Sequence, residues 1–132
     1  LLRGGRSLKS PAALANYPLI HFRWKRDDPE APTWERWIAH ARQRFPNERM
    51  PDPDAGIRFS EESHAIEAAI LGQGIALLSD LLVRRELENG MLVKALDLSI
   101  DGLTFYAVYP PDAPRRETIR KLVDFICDSR SR

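Results

Sequence analysis

Cysteine is almost absent. Cys127 is the only one in 132 residues, which excludes a disulfide within the chain and a cysteine-based metal cluster. A reducing, cytoplasmic compartment is the expectation that follows. No apolar run approaches the ~18–20 residues that a membrane-spanning helix needs. The start, Leu1-Leu2-Arg3-Gly4-Gly5, has neither an initiator methionine nor a secretory apolar core and reads like a cut end. Internal repeats and low-complexity tracts are also missing. What is present, 43% hydrophobic and 30% charged residues, suits one domain with a modest core.

Charge is nearly balanced overall but not along the chain. Residues 1–50 hold 10 Lys/Arg against 5 Asp/Glu, residues 51–100 hold 4 against 9, and residues 101–132 hold 6 against 5. The basic residues are spread over loops and polar helix faces, with no helix-turn-helix pattern around them. Direct nucleic-acid binding by this stretch is therefore not expected.

Hydrophobic periodicity predicts alternating elements. Ser10-Pro11 signals a short helix over 11–15 that stops before Pro18, and Pro18–Phe22 reads as a buried strand. After a charged loop over 23–32, Thr33 caps a helix with Trp34, Trp37, Ile38, Ala41 and Phe45 on one stripe. Residues 50–56 are too rich in proline and aspartate for regular structure. Ile57-Arg58-Phe59 is a short strand, and Ser60 is the expected cap of a helix that buries Ala65, Ile66, Ala69 and Ile70. Gly72 closes that helix, and Ile75–Leu78 is a second buried strand. Strand, helix and strand with short links predict a βαβ unit with its two strands paired in parallel. Ser79-Asp80 starts another helix. Strands are expected at Leu92–Leu96 and Thr104–Tyr109, and a terminal helix from about Arg115 carries Ile119, Leu122, Val123 and Ile126 on one face. The fold class is α/β.

Most candidate chemistry has a plainer structural explanation. Gly72-Gln73-Gly74 follows a helix and opens a strand, the reverse of what a dinucleotide fingerprint requires. His21, His40 and His64 make no ligand pair with metal spacing, so no metal site is expected. His64 lies near Ser60 and Ser63, yet no nucleophile elbow accompanies them. Cys127, near the chain end beside an apolar helix face, reads as filler. No catalytic set emerges, no cofactor is implied, and the chain is not expected to be an enzyme. What survives is Arg58-Phe59-Ser60. In an open parallel sheet, ligands bind beyond the carboxyl ends of strands. There the Ser60 hydroxyl, the free amides of residues 61–63 and the Arg58 side chain can receive a carboxylate or phosphate, with Phe59 as a wall. The alternative is that Ser60 only caps its helix, Arg58 is solvated, and Glu61 and Glu62 neutralise the helix end.

Several stretches taken in order resemble the effector-binding (substrate-binding) region of LysR-type transcriptional regulators, in particular the branch of the glycine-cleavage activator. They are Arg6–Ala15 with Pro18–His21, Trp34 and Trp37, Arg58-Phe59-Ser60, Glu67–Leu78, Asn89–Val93, and Tyr106–Pro110 before the terminal helix. Ser79 departs from the pattern, which commonly has proline there. The resemblance implies a fold like that of type II periplasmic binding proteins, with two α/β lobes, two crossovers and a small-molecule effector in the cleft between them. It implies that residues 1–100 are most of the second Rossmann-like lobe and that residues 101–132 return to the first. The DNA-binding winged helix-turn-helix, the linker helix and the first-lobe strands would lie outside this stretch. The matching cleft-side positions are Arg58, Phe59 and Ser60, with Ser63 and His64 beside them. The implied partners are a small effector, further copies in a homodimer or higher homo-oligomer, and DNA through an N-terminal domain only. A solute-binding module of the same fold, with no link to DNA, is the other reading. By itself this stretch is expected to dimerise or to exchange its C-terminal segment, because strand edges would be left open.

Overall fold

Leu19 and Ile20 are adjacent in sequence and almost completely buried, but in two different hydrophobic clusters. That is the mark of a central strand covered on both faces. The computed structural model describes residues 7–23, 28–103, 106, 108–110, 112 and 114–128. Within them β1 (Leu19–Phe22), β2 (Ile57–Phe59) and β3 (Ile75–Ala76) form a parallel sheet in the order β2-β1-β3. Leu19 stands opposite Ile75, and Ile20 opposite both Ala76 and Ile57. The described helices are α1 (Trp34–Arg44), α2 (Glu62–Ile70), α3 (Asp80–Glu88) and α4 (Arg116–Asp128), preceded by a 3₁₀ helix over Pro11–Asn16.

Each face of the sheet has its own cover. On one, Leu14, Leu19, Trp34, Trp37, Ile38 and Ala41 pack together under the 3₁₀ helix and α1, with Ile75 and Leu77 beside them. On the other, Ala65 and Ala68 of α2 meet Ile20, with Phe22, Phe59, Ala76 and Leu78 around them. The small side chains of α2 let its backbone lie close to the sheet. The α1 stripe is as expected, with Thr33 at the N-cap accepting a hydrogen bond from the Arg36 amide at 3.4 Å.

The expected pairing of the two strands around α2 is not what forms. β2 and β3 both run parallel to β1, but β1 lies between them, so the connection through α2 skips a strand. Gly74 helps to make this possible. A Cβ there would collide with the Pro18 carbonyl, and Ile75 instead donates to that same oxygen at 2.9 Å. Hydrogen bonds from Gly72 to Ala69 and from Gln73 to Ala68 close α2, which confirms the turn role of the Gly-x-Gly pair.

Ser60 is not the helix cap. α2 begins at Glu62 with Glu61 at the N-cap, because Arg23 donates to the Phe59 carbonyl and extends strand pairing one residue further. Glu62 reaches across to accept the Ser79 amide at 3.2 Å, tying the start of α2 to the start of α3. Ser79 is the N-cap of α3 by position, although its side chain makes no capping bond.

The expected strand at 92–96 has no ladder. That stretch instead lies against the chain near its beginning, where Leu8 donates to the Ala95 carbonyl at 2.6 Å and Ser7 Oγ to the Lys94 carbonyl at 3.1 Å. Leu96, Leu98 and Ile100 then point into the α1 cluster while the residues between them are exposed. Of the expected strand at 104–109, Thr104, Phe105 and Ala107 lie outside the described residues. Tyr106, Val108 and Tyr109 belong to no strand, and the first two are 80% and 89% exposed. α4 has the predicted apolar stripe, with Ile119 and Val123 partly covered but Leu122 and Phe125 56% and 70% exposed. The side chain of Cys127 lies outside the described residues. No described helix is long and apolar enough to cross a membrane.

Candidate functional site

A cleft of about 240 Å³ opens at the carboxyl ends of β1 and β2, against the first turn of α1. Its walls come from His21, Phe22 and Arg23 of the β1 end, Thr33, Trp34 and Glu35 of α1, and Arg58 of β2, with Asp28 and Leu77 at its margins. This is where an open α/β sheet offers space, since side chains and amides converge beyond the strand ends while the helices cover the faces.

Local chemistry fixes each wall. Trp34 is buried, and its indole Nε1 donates to the Ile20 carbonyl at 3.0 Å, which pins the first turn of α1 to β1. Its ring meets that of Trp37 edge to face, with centroids 5.5 Å apart. Trp37 in turn donates to the Leu98 carbonyl at 3.0 Å, so both indole N–H groups are satisfied. His21 Nε2 lies 2.9 Å from the Ala55 carbonyl. A carbonyl only accepts, so Nε2 carries hydrogen and Nδ1 of the neutral ring is left as an acceptor. Arg58 donates to the Asp54 carbonyl at 3.1 Å and to its carboxylate at 3.2 Å. Both side chains of that pair are largely exposed, which makes it a weak restraint.

Among the described residues, Glu35 has its ionisation perturbed by its surroundings in the site. A hydrogen bond from its own backbone N–H, then one from the Thr33 hydroxyl, hold its carboxyl below the usual carboxylate range. Burial opposes this, and the nearby His21 and Arg58 add smaller effects in the lowering direction. Asp28 Oδ1 accepts the Glu30 amide at 2.8 Å. The cleft thus carries both signs of charge, Glu35 and Asp28 against Arg23 and Arg58.

Of the residues singled out from sequence, Arg58 is in the cleft wall. Phe59 is half-buried against Ile20 and the α2 alanines, in the core rather than lining the cleft. Ser60, Ser63 and His64 are exposed at the start of α2 and do not line the cleft. His21, Thr33 and Glu35 were not singled out. The signal for them was available: a buried strand, a loop and a Thr-capped helix, the same arrangement that drew attention to residues 58–60. Among the described residues no group of three or more His, Cys, Asp or Glu side chains is placed to hold a metal ion.

Comparison with known proteins adds a family and a fold. The family model described as the LysR substrate binding domain matches residues 1–130. The chain is 34% identical over 122 residues to an HTH-type transcriptional regulator of Sinorhizobium fredii, covering 90% of this chain and 37% of that protein. It is 33% identical over 109 residues to the glycine cleavage system transcriptional activator of Escherichia coli K12, covering 82% of this chain and 32% of that one. The chain therefore spans about a third of the length of these curated relatives. Among solved structures, the AmpR effector binding domain from Citrobacter freundii aligns with a TM-score of 0.52 at 23% identity, over 72% of this chain and 42% of that one. That likeness speaks for the fold alone, a type II periplasmic-binding-protein-like α/β architecture.

Proposed function

The chain belongs to the LysR substrate-binding-domain family, and from that premise we propose that its cleft is one half of an effector site. The other half comes from a first lobe encoded by sequence outside this stretch. On this reading residues 1–100 are most of the second lobe, and residues 101–132 lead back to the first. The effector is a small molecule with an anionic group that Arg58 receives. Its binding shifts the balance between lobe arrangements, and so the behaviour of a DNA-bound homo-oligomer. The parent protein is then a non-enzymatic cytoplasmic regulator.

The observation that carries this is the position of the cleft at the carboxyl ends of two parallel strands, with a guanidinium in its wall. Its volume is below the ~300–1,000 Å³ of complete small-molecule pockets, as suits half a site. Exposed Leu122 and Phe125 on α4 support a missing first-lobe neighbour. The names of the curated relatives, transcriptional regulators, favour this reading over a solute-binding module of the same fold.

Phe59, Ser60, Ser63 and His64 remain proposed effector contacts only through closure of the missing lobe. The test is a thermal-shift screen of the full-length protein against small carboxylates and phosphates. The expected result is stabilisation by a narrow set of them, lost in Arg58→Gln. Hits that stabilise Arg58→Gln and wild type equally, or a screen with none, would overturn the assignment.

A further inference from the structure

The two buried indoles of α1 fasten it in two directions. Trp34 and Trp37 are three residues apart, so they share one face of the helix and meet edge to face. The Trp34 N–H goes to the Ile20 carbonyl, beside the cleft, and the Trp37 N–H to the Leu98 carbonyl, 61 residues further along the chain. Both rings lie in a close-packed cluster, which passes a displacement on rather than absorbing it.

The segment that holds Leu98 has little else to hold it. Among the described residues, 96–103 make no backbone-to-backbone hydrogen bond. Up to Ile100 they are held by side chains instead. Leu96, Leu98 and Ile100 pack on the α1 cluster, and Trp37 takes the carbonyl of the middle one. Asp101, Gly102 and Leu103 are then exposed, and a Cβ on Gly102 would meet nothing nearer than Pro32 at 4.0 Å. Packing therefore ends between Ile100 and Asp101.

We propose that Trp37 is a positioning residue that clamps the return segment to the cleft-bearing unit, so that residues 96–100 move with α1 and β1 and the chain first bends at Asp101-Gly102. A change in the cleft that shifts the first turn of α1 is then delivered through the same helix to Leu98, with no flexible joint between. This rests on the two-lobe reading above and names the residue that sets where one lobe ends.

The test uses the full-length protein and needs no ligand, so the clamp can fail while the effector site stands, and the carboxylate and phosphate screen can fail while the clamp holds. Nitroxide labels are placed singly through His40→Cys on the exposed face of α1, Ser99→Cys and Asp101→Cys, with native cysteines replaced by serine. Their line shapes report motion on the nanosecond scale of loops. The Ser99 label is expected to be as immobile as the His40 label, and the Asp101 label clearly more mobile. Trp37→Phe keeps a ring and removes the donor. It is expected to raise the mobile component at Ser99 about tenfold, the scale of one lost buried hydrogen bond, and to leave His40 unchanged. Loss of packing alone would loosen both sites, so mobility that rises equally at His40 overturns the positioning role. So does a Ser99 label unmoved by Trp37→Phe, or equal mobility at Ser99 and Asp101 in wild type. Melting curves confirm that each variant is folded. Leu98→Ala weakens the clamp from its other side, and the same outcomes are read from it where Trp37→Phe does not fold.

Discussion

His21 and Arg58 stand opposite one another in the parallel ladder of β1 and β2, and both side chains reach back to the same turn, one to the Ala55 carbonyl and the other to Asp54. Two cleft residues from neighbouring strands therefore hold consecutive residues of the proline-rich segment that precedes β2. The position of that turn and the aim of both side chains are set together.

Because the Arg58–Asp54 pair is exposed, breaking it should barely affect folding. Asp54→Asn is expected to change stability by about 0–1 kcal/mol in urea denaturation. Ligand affinity should move the other way, since the variant frees Arg58 for an anion. Calorimetry on Asp54→Asn with any ligand found for wild type checks this, and a large loss of binding would contradict it.

Glu35 makes a pH prediction whose sign is fixed by its hydrogen bonds. Its folded pKa is lowered from 4.5, so its ionised form stabilises the fold at pH values above the unfolded pKa. That contribution is lost as pH falls through the lower, folded value. The stability difference between wild type and Glu35→Gln should be constant near pH 6–7 and shrink in acid. A carboxyl titration by NMR should place the Glu35 midpoint below its ordinary value.

Thr33 links the helix cap to that carboxylate. Thr33→Ala should cost about 1 kcal/mol through the lost N-cap, and it should raise the Glu35 pKa by removing a donor. A Thr33→Ser variant keeps the hydroxyl and should restore both. An unchanged Glu35 midpoint in Thr33→Ala would contradict the hydrogen bond.

Gly56 should tolerate no side chain. Its φ is +118°, and a Cβ there would run into the backbone of Leu19. Gly56→Ala is expected to destabilise by roughly 2–3 kcal/mol or more, combining backbone strain with a clash against the central strand. It should also weaken ligand binding, because β2 and Arg58 follow directly. Denaturation midpoints and calorimetry on the same variant check the two effects.

α4 distinguishes the isolated chain from the parent protein. Phe125→Ser should alter the stability of the 132-residue chain by less than about 0.5 kcal/mol, because the side chain is largely exposed. In the full-length protein the same change should cost several-fold more, on the order of 2–4 kcal/mol, if a first lobe covers it. Sedimentation of the isolated chain is expected to show self-association through this face and the open strand edges. Equal costs in the two settings would count against the division at residue 100.

The helical half of the fold was legible because its code is local. Trp34, Trp37, Ile38 and Ala41 repeat at helical spacing, and Thr33 announces the start. Strand order was not legible, because Ile57–Phe59 and Ile75–Ala76 carry no mark of which edge of β1 each will take. Residues 92–96 have strand-like side chains, but a ladder also needs a partner of matching length. Arg58 was found at its strand end. Glu35 was missed because a glutamate in a first turn looks like a helix-dipole residue, and only the fold shows that the turn borders a cleft.

The bond between Leu8 and Ala95 has a consequence for modularity. Residues 87 apart in sequence lie side by side, so the chain enters and leaves the three-stranded unit through one doorway. A unit built this way can be carried inside a host chain as a cassette, adding almost nothing to the distance between the host residues that flank it. Its two connecting segments, joined at Leu8 and Ala95, then offer the cassette a common pivot.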